Sequence, residues 1–376
     1  MMEIGFEKTL VFLVFILLGM VLKVKFKSPQ EVNGIKKIIL NLALPATIFI
    51  ALLGIQIEIS LLLLPLMALA LNLFLFLVTP LLLPLVGVNK NTPTYRTARL
   101  LIPSLAPGLS CFPFVLEFLG EAYVAKAAMA DLGNKVFVLI VLYLVAMHWY
   151  YARNQEKQTG GRAKLMSLLK TLVTEPVNIF IGLALLLLLL GFHMESLPFV
   201  LSNTLSKLSL MMTPLVLLFI GMAVKIKKHQ FVQILSLLLL RAGFVFLITA
   251  VTVLISGLSV QNDVLLLLSF GLSACSFWPF AHLSLVDGWE LEKKAKTFDS
   301  NYAVAILALS LPLSTILILA VLNSGSVLNS WTTILMVGLL LLLLGTFVPL
   351  LKFLSKKILK MGLSTNKMES ATTERV

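Results

Sequence analysis

The sequence predicts an all-α polytopic membrane protein: two inverted five-helix repeats, a pair of broken helices crossing at the centre, and one further C-terminal span. Three observations predict it. Of 376 residues, 59% are hydrophobic and 12% charged, with a mean hydropathy of +1.02, which is too little polar surface to solvate a globule of this length. The basic residues are confined to alternate loops. An ordered set of Gly, Ser, Cys, Pro, Asp and Asn residues recurs in the second half of the chain.

Leu-rich runs long enough to cross a bilayer, at ~20 residues each, recur from end to end. A membrane-spanning chain must satisfy its own backbone, so the options are helices or a closed barrel. Short alternating segments of barrel type are absent, which leaves helices. Eleven spans are expected at 8–24, 34–54, 58–86, 97–119, 122–150, 175–191, 199–224, 230–256, 263–286, 296–321 and 329–351. The first runs from Lys8 to Lys23 without a small-residue cleavage site, so it reads as a span rather than a cleaved signal peptide.

The formal net charge is +13, but its placement excludes a polyanion-binding role and makes nucleic acid no expected partner. Of the 30 Lys and Arg residues, 25 fall in alternate loops and the tail, beginning with Lys23, Lys25, Lys27, Lys36 and Lys37. The opposite loops around 53–59, 192–198, 257–262 and 322–328 hold none. This is the positive-inside pattern. It predicts a multi-pass protein of a cytoplasmic (inner) membrane, with the N-terminus outside and the C-terminus in the cytoplasm.

The most polar internal stretch, 151–174, reads as a cytoplasmic linker between residues 1–150, the first repeat, and residues 175–322, the second. Residues 323–376 then hold an accessory span and a tail. Across the linker, Gly108, Ser110, Cys111 and Pro113 precede Gly120, Asp131 and Asn134. Gly271, Ser273, Cys275, Ser276 and Pro279 precede Gly288, Asp299 and Asn301 in the same order. The Gly-to-Asp spacing is 11 residues in both halves, and partners such as Pro45 and Pro214 lie 166–169 residues apart. Five spans per unit is an odd number, so the second copy enters the membrane from the other side, an arrangement typical of secondary transporters.

Pro103, Pro107 and Pro113 in span four, and Gly271 and Pro279 in span nine, predict broken helices, because proline removes a donor and clashes one turn back. Broken backbone at membrane depth belongs where it is buried in protein or lines a cavity. Substrate is expected at that interface. The nominated contacts are Ser110, Cys111, Phe112, Pro113, Ser273, Cys275, Ser276, Trp278 and Pro279, with Asn41, Pro45 and Pro214 from spans two and seven.

Asp131 and Asp299 are the expected ion-coupling carboxylates, for a proton or sodium, with Asn134 and Asn301 as co-ligands. A structural reading stands beside this one: Lys135 lies four residues after Asp131, the spacing of a neutralising pair, and Lys296 lies close to Asp299. Glu117 and His282, just after the two crossover prolines, are further candidates for ion coupling. A solvated Glu and a structurally bonded His are the plainer alternatives. Arg241 offers charge to an anion, against a structural ion pair or snorkelling.

No enzyme signature is present: there is no His-Glu-x-x-His, phosphate loop or Gly-x-Ser-x-Gly. Four scattered histidines and two cysteines suggest neither a metal site nor a disulfide framework, and no cofactor is expected beyond the coupling ion.

The segments Asn41–Gly54, Ser110–Glu121, Thr213–Val224 and Trp278–Pro312 resemble the auxin efflux carrier family, a branch of the group that includes bile-acid symporters. The likeness covers roughly residues 8–321. It implies a scaffold of spans one, two, six and seven, and a mobile unit of spans three to five and eight to ten. It further implies transport of a small organic anion and dimerisation through the scaffold. The chain departs from the family where an asparagine is usual, at Ala106, and in its eleventh span. A transporter-fold sensor without turnover is the alternative expectation.

Overall fold

The computed structural model describes residues 2–26, 28–54, 59–154, 166–167, 169–170, 173–223, 230–257, 260–290 and 296–347. Among these residues the structure is helical and contains no strand. The expected linker at 151–174 and the tail fall largely outside the described residues.

Each of the eleven expected spans coincides with a helix or a set of helices. Span one is α1 (Met2–Leu22), and span two is α2 (Pro29–Ile38) running through a π-turn at Ile39–Ala43 into α3 (Leu44–Leu53). Span three is α4 (Ile59–Leu85). Span four comprises α5 (Pro93–Leu101), α6 (Pro107–Ser110) and α7 (Phe112–Leu119). Span five is α8 (Glu121–Val136), a π-turn at Phe137–Val141 and α9 (Leu142–Asn154). Spans six and seven are α10 (Pro176–Leu189), then α11 (Phe199–Leu210) with α12 (Met212–Ala223). The remainder are α13 (Phe231–Ser256), the pair α14 (Gln261–Gly271) and α15 (Phe277–Trp289), α16 (Ser300–Leu322) and α17 (Trp331–Phe347).

Among the described residues, six stretches are long and apolar enough to cross a membrane: Gln30–Leu53, Leu61–Leu85, Glu121–Arg153, Phe199–Met222, Phe231–Ser256 and Ser300–Leu322. α10 and α17 are apolar but shorter. Spans four and nine are divided, as the prolines and glycines led one to expect.

Local chemistry sets the ends. Thr92 accepts from the Tyr95 N–H and Pro93 opens α5, a side-chain cap followed by a residue whose missing donor costs nothing in a first turn. Ser28 and Ser276 cap α2 and α15 in the same way. Gly120, at φ 92°, turns α7 directly into α8, a conformation that a Cβ disfavours. The π-turn at 39–43 precedes Pro45, which cannot donate to the Asn41 carbonyl; a wider turn absorbs that mismatch.

The helices pack in two sets that meet where α3 lies against α8. α1 lies along α12, α10 and α11 lie against α3, and α12 touches α2. In the other set α4 packs on α8, while α13, α14, α15 and α16 pack among themselves, with α5 against α16 and α4 against α13. α17 leans on α13, where Gly243 and Gly338 permit close approach: a Cβ on Gly338 would lie 2.9 Å from the Phe246 Cβ. Glycine also brings backbones together elsewhere. A Cβ at Gly221 would sit 2.1 Å from the Ile16 carbonyl oxygen between α12 and α1, and one at Gly133 would sit 1.8 Å from the Pro65 oxygen between α8 and α4.

Gly221→Val should therefore push α1 and α12 apart and lower stability by at least the roughly 1–3 kcal/mol typical of overpacking. Gly182→Val on α10, where a Cβ meets nothing within 4 Å, should have little effect. Thermal unfolding of both variants in detergent checks this; equal melting points would contradict the packing described.

Candidate functional site at the crossing of two broken helices

Residues 102–106 separate α5 from α6, and residues 272–276 separate α14 from α15. A helix interrupted in this way leaves unpaired N–H and C=O groups at four ends, and most of these breaks are solved by each other. The Ala106 N–H donates to the Ala274 carbonyl at 2.8 Å, the Ala274 N–H to Ser110 Oγ at 2.9 Å, and the Ser276 N–H to Ser104 Oγ at 3.0 Å. Ala106 faces Ala274 and Ser104 faces Ser276, so the two segments run past one another in opposite directions.

The breaks share a local device. Ser104 Oγ donates to the Leu101 carbonyl and Ser273 Oγ to the Phe270 carbonyl, both at 2.6 Å. Ser104 and Ser273 are 169 positions apart.

Neighbouring helices supply the remaining partners. On the first break, Asn134 of α8 donates to the Leu105 carbonyl at 3.0 Å, and Asn72 of α4 donates to Asn134 Oδ1 at 3.0 Å. On the second, Arg241 of α13 donates to the Ser273 carbonyl at 2.6 Å and the Gly271 carbonyl at 3.3 Å, and approaches Cys275 Sγ at 3.6 Å. Ser310 and Ser314 of α16 bond the Cys275 N–H at 3.2 Å and the Leu272 carbonyl at 2.6 Å. Arg241 is thus a planar fork spent on broken backbone, which matches neither an ion pair nor snorkelling.

The nominated contacts divide sharply. Ser110, Ser273 and Ser276 are buried clamps of the crossing. Phe112, Pro113 and Pro279 are buried packing residues, and Trp278 is half-buried. Cys111 and Cys275 are buried free thiols; the first neighbours Ser273 and the second Arg241. Pro45 is buried, Pro214 half-buried and Asn41 exposed.

A cavity of about 610 Å³ reaches the crossing at Ala106, Leu109, Ala274 and Cys275. Its walls are Val32 and Lys36 of α2, Phe219 and Met222 of α12, Phe277, and the Val304–Leu311 face of α16; it ends at Lys23, Phe26 and Ser28 beyond α1. Cys275 is the one nominated contact in this wall. Lys36, counted in the sequence only as a topological charge, stands in it with its Nζ 4.6 Å above the Phe277 ring. Among the described residues the lining contains no Asp or Glu.

The two coupling carboxylates sit in different surroundings. Asp131 is buried, accepts from Asn134 at 2.8 Å and pairs with Lys135 at 3.5 Å, the anticipated i,i+4 contact. Lys135 also reaches Glu175 at 3.3 Å and Asn178 at 2.8 Å at the start of α10, two partners that the spacing did not reveal. Asp299 caps α16 instead: it accepts from the Tyr302 N–H at 3.0 Å and from Thr94 at 3.2 Å. Its expected pairing with Lys296 is corrected, since Lys296 bonds Asp287 while the Asp299 carboxylate is taken by helix-end donors. Asn301 is exposed.

His282 is buried, with Nε2 2.9 Å from the Val138 carbonyl in the π-turn and its ring 5.5 Å from that of Tyr143, a structural setting. Glu117 is half-buried, and it is its backbone carbonyl that accepts from Lys8. Among the described residues no group of three or more His, Cys, Asp or Glu side chains could hold a metal.

The signal for Ser310 and Ser314 was present in the sequence: with Thr315 they are the three hydroxyl residues in the apolar stretch 303–322. Lys36 had no such signal, because its meaning depends on what α15 places opposite.

Three variants test this geometry. Arg241→Leu strands two buried carbonyls, at about 1–3 kcal/mol each, and Arg241→Lys should not restore stability because it lacks the fork. Lys135→Met leaves two carboxylates without their cation, and breaking a buried pair costs roughly 3–5 kcal/mol. Melting temperatures should fall in all three; full recovery by Arg241→Lys would refute the fork. No family model matches the chain, and no curated protein matches it.

Proposed function

We propose that this chain is a secondary carrier that moves a small organic anion across a cytoplasmic membrane by alternating access, driven by a proton or sodium gradient or running downhill. One observation carries the reading: two unwound helix segments cross at the base of a cavity that extends toward one end of the molecule. Broken backbone at membrane depth that meets a cavity is the usual setting of a transported substrate.

Other features support it. The matching Ser104 and Ser273 bonds accord with two repeats inserted in opposite senses. The two packing sets accord with a scaffold of spans one, two, six and seven beside a mobile unit of spans three to five and eight to ten, the division implied by the resemblance to auxin efflux carriers. Among the described residues the cavity wall carries lysines and no carboxylate, which favours an anion. Its Lys23 end lies on the side that the charge bias assigns to the cytoplasm, so the conformation is inward-facing in this reading. Asp131, tied through Lys135 to Glu175, is the ion-coupling candidate, and the scaffold face is the dimerisation surface.

One observation favours the sensor alternative. Ala106 sits in the cavity wall with its N–H committed to Ala274, so the first break offers a ligand only a methyl group.

Uptake of labelled organic anions into proteoliposomes, under imposed pH or sodium gradients, separates the two. A carrier shows saturable flux, with gradient-driven uptake lost in Asp131→Asn. Binding without flux in the wild type would establish the sensor.

A further inference from the structure

We infer that Lys36 is the anion-binding residue of the cavity, and that its ligand is an amphipathic monoanion: one carboxylate held by the lysine ammonium, with an apolar body against the aromatic and aliphatic wall. The inference rests on the carrier reading and names the substrate class of that same site.

Lys36 lies on α2, two turns in from its start at Pro29. Its neighbour Lys37 is exposed, whereas Lys36 is half-buried and turned into the cavity wall. Among the described residues no carboxylate lies within ion-pairing distance of its Nζ, which rests over the face of Phe277 at 4.6 Å. A ring face attracts an ammonium but satisfies none of its three N–H donors. A cation partly removed from water without a counter-charge is costly, and an incoming carboxylate relieves that cost with charge-assisted hydrogen bonds.

The rest of the wall selects the remainder of the ligand. Phe26, Val32, Phe219, Phe277 and Leu307 share the cavity wall with the lysine, and among the described residues the polar lining side chains besides lysine are Ser28 and Ser310. Ser310 is already engaged with the Cys275 N–H and the Leu307 carbonyl. A compact, strongly hydrated anion would lose its water here and gain little. An anion with a hydrocarbon body gains from burial at about 25 cal/mol per Å² of apolar surface. An anionic lipid headgroup with its tails has the same chemistry, so the test must separate the two sources.

The experiment uses full-length protein in phosphatidylcholine nanodiscs and reads the melting temperature against octanoate, octanamide and succinate. Octanoate should stabilise the wild type, while octanamide, which lacks the charge, and succinate, which lacks the apolar body, should act far more weakly. Lys36→Gln should weaken octanoate by about tenfold or more, the scale of one lost charged hydrogen bond. Lys36→Arg should retain most of the affinity, and Lys37→Gln all of it. The unliganded melting points of the variants report folding.

Undiminished octanoate binding by a folded Lys36→Gln overturns the inference and leaves the carrier reading intact. So does proteoliposome flux of another anion without any response to octanoate. Neither binding nor flux of any anion in the wild type removes both. If added phosphatidylglycerol alone stabilises, in a Lys36-dependent way, the occupant is lipid and the substrate assignment is overturned.

Discussion

The structure depends on the hydrogen bonds between two strands of broken helix buried against each other. Within a bilayer, water cannot rescue an unpaired N–H or C=O, and each one left open costs several kcal/mol. The Ala106–Ala274 and Ser276–Ser104 bonds resolve that problem only if both helices break at the same depth and run in opposite senses. The carbonyls left over must then be met from outside: α8, α13 and α16 bring Asn134, Arg241 and Ser314 for that purpose, and Asn72 of α4 holds Asn134 in place. The positions of these four helices follow from the demands of the crossing.

A consequence concerns what is able to move. The bonds that fix the crossing lie within the set formed by α4–α9 and α13–α16. The other set, α1–α3 with α10–α12, has its own polar tie in Ser209 and Thr47 at 2.9 Å. Named links between the sets sit near their margins: Lys135 with Glu175, Lys8 with the Glu117 carbonyl, and Asn323 with Thr9. In the carrier reading the crossing travels as one body, and these marginal links, with the apolar contact between sets, are what must be exchanged.

Much of this was legible in the sequence, for physical reasons that differ by feature. The helices were visible because each is a long apolar run, and the breaks were suggested by Pro107, Gly108, Gly271 and Pro279, although α4 carries Pro65, Pro80 and Pro84 without breaking. The exact position of the breaks was not legible. Pro113 and Pro279 fall in the first turns of α7 and α15, where a missing N–H is harmless, and the unwound residues lie upstream. Ser110, Ser273 and Ser276 were singled out as ligand contacts; in the structure Ser110 and Ser276 bond across the crossing and Ser273 closes its own break. Asp131 and Asp299 occupy equivalent positions in sequence, yet one lies inside a helix beside Lys135 and the other caps one. Side-chain roles of this kind are set by what a distant helix brings, as Lys36 beside Phe277 and Lys135 beside Glu175 illustrate.

The central claim is that the cavity at the crossing opens alternately to the two sides of the membrane. Its most direct test places a single cysteine at Ala308, in the cavity wall, with Cys111 and Cys275 replaced by serine, and measures labelling by a membrane-impermeant maleimide from each face of oriented vesicles. The account predicts rapid labelling from the face bearing the Lys23 end, and labelling from the opposite face when substrate and gradient drive turnover. Labelling from one face alone, under every condition in which the protein moves or binds an anion, would contradict it.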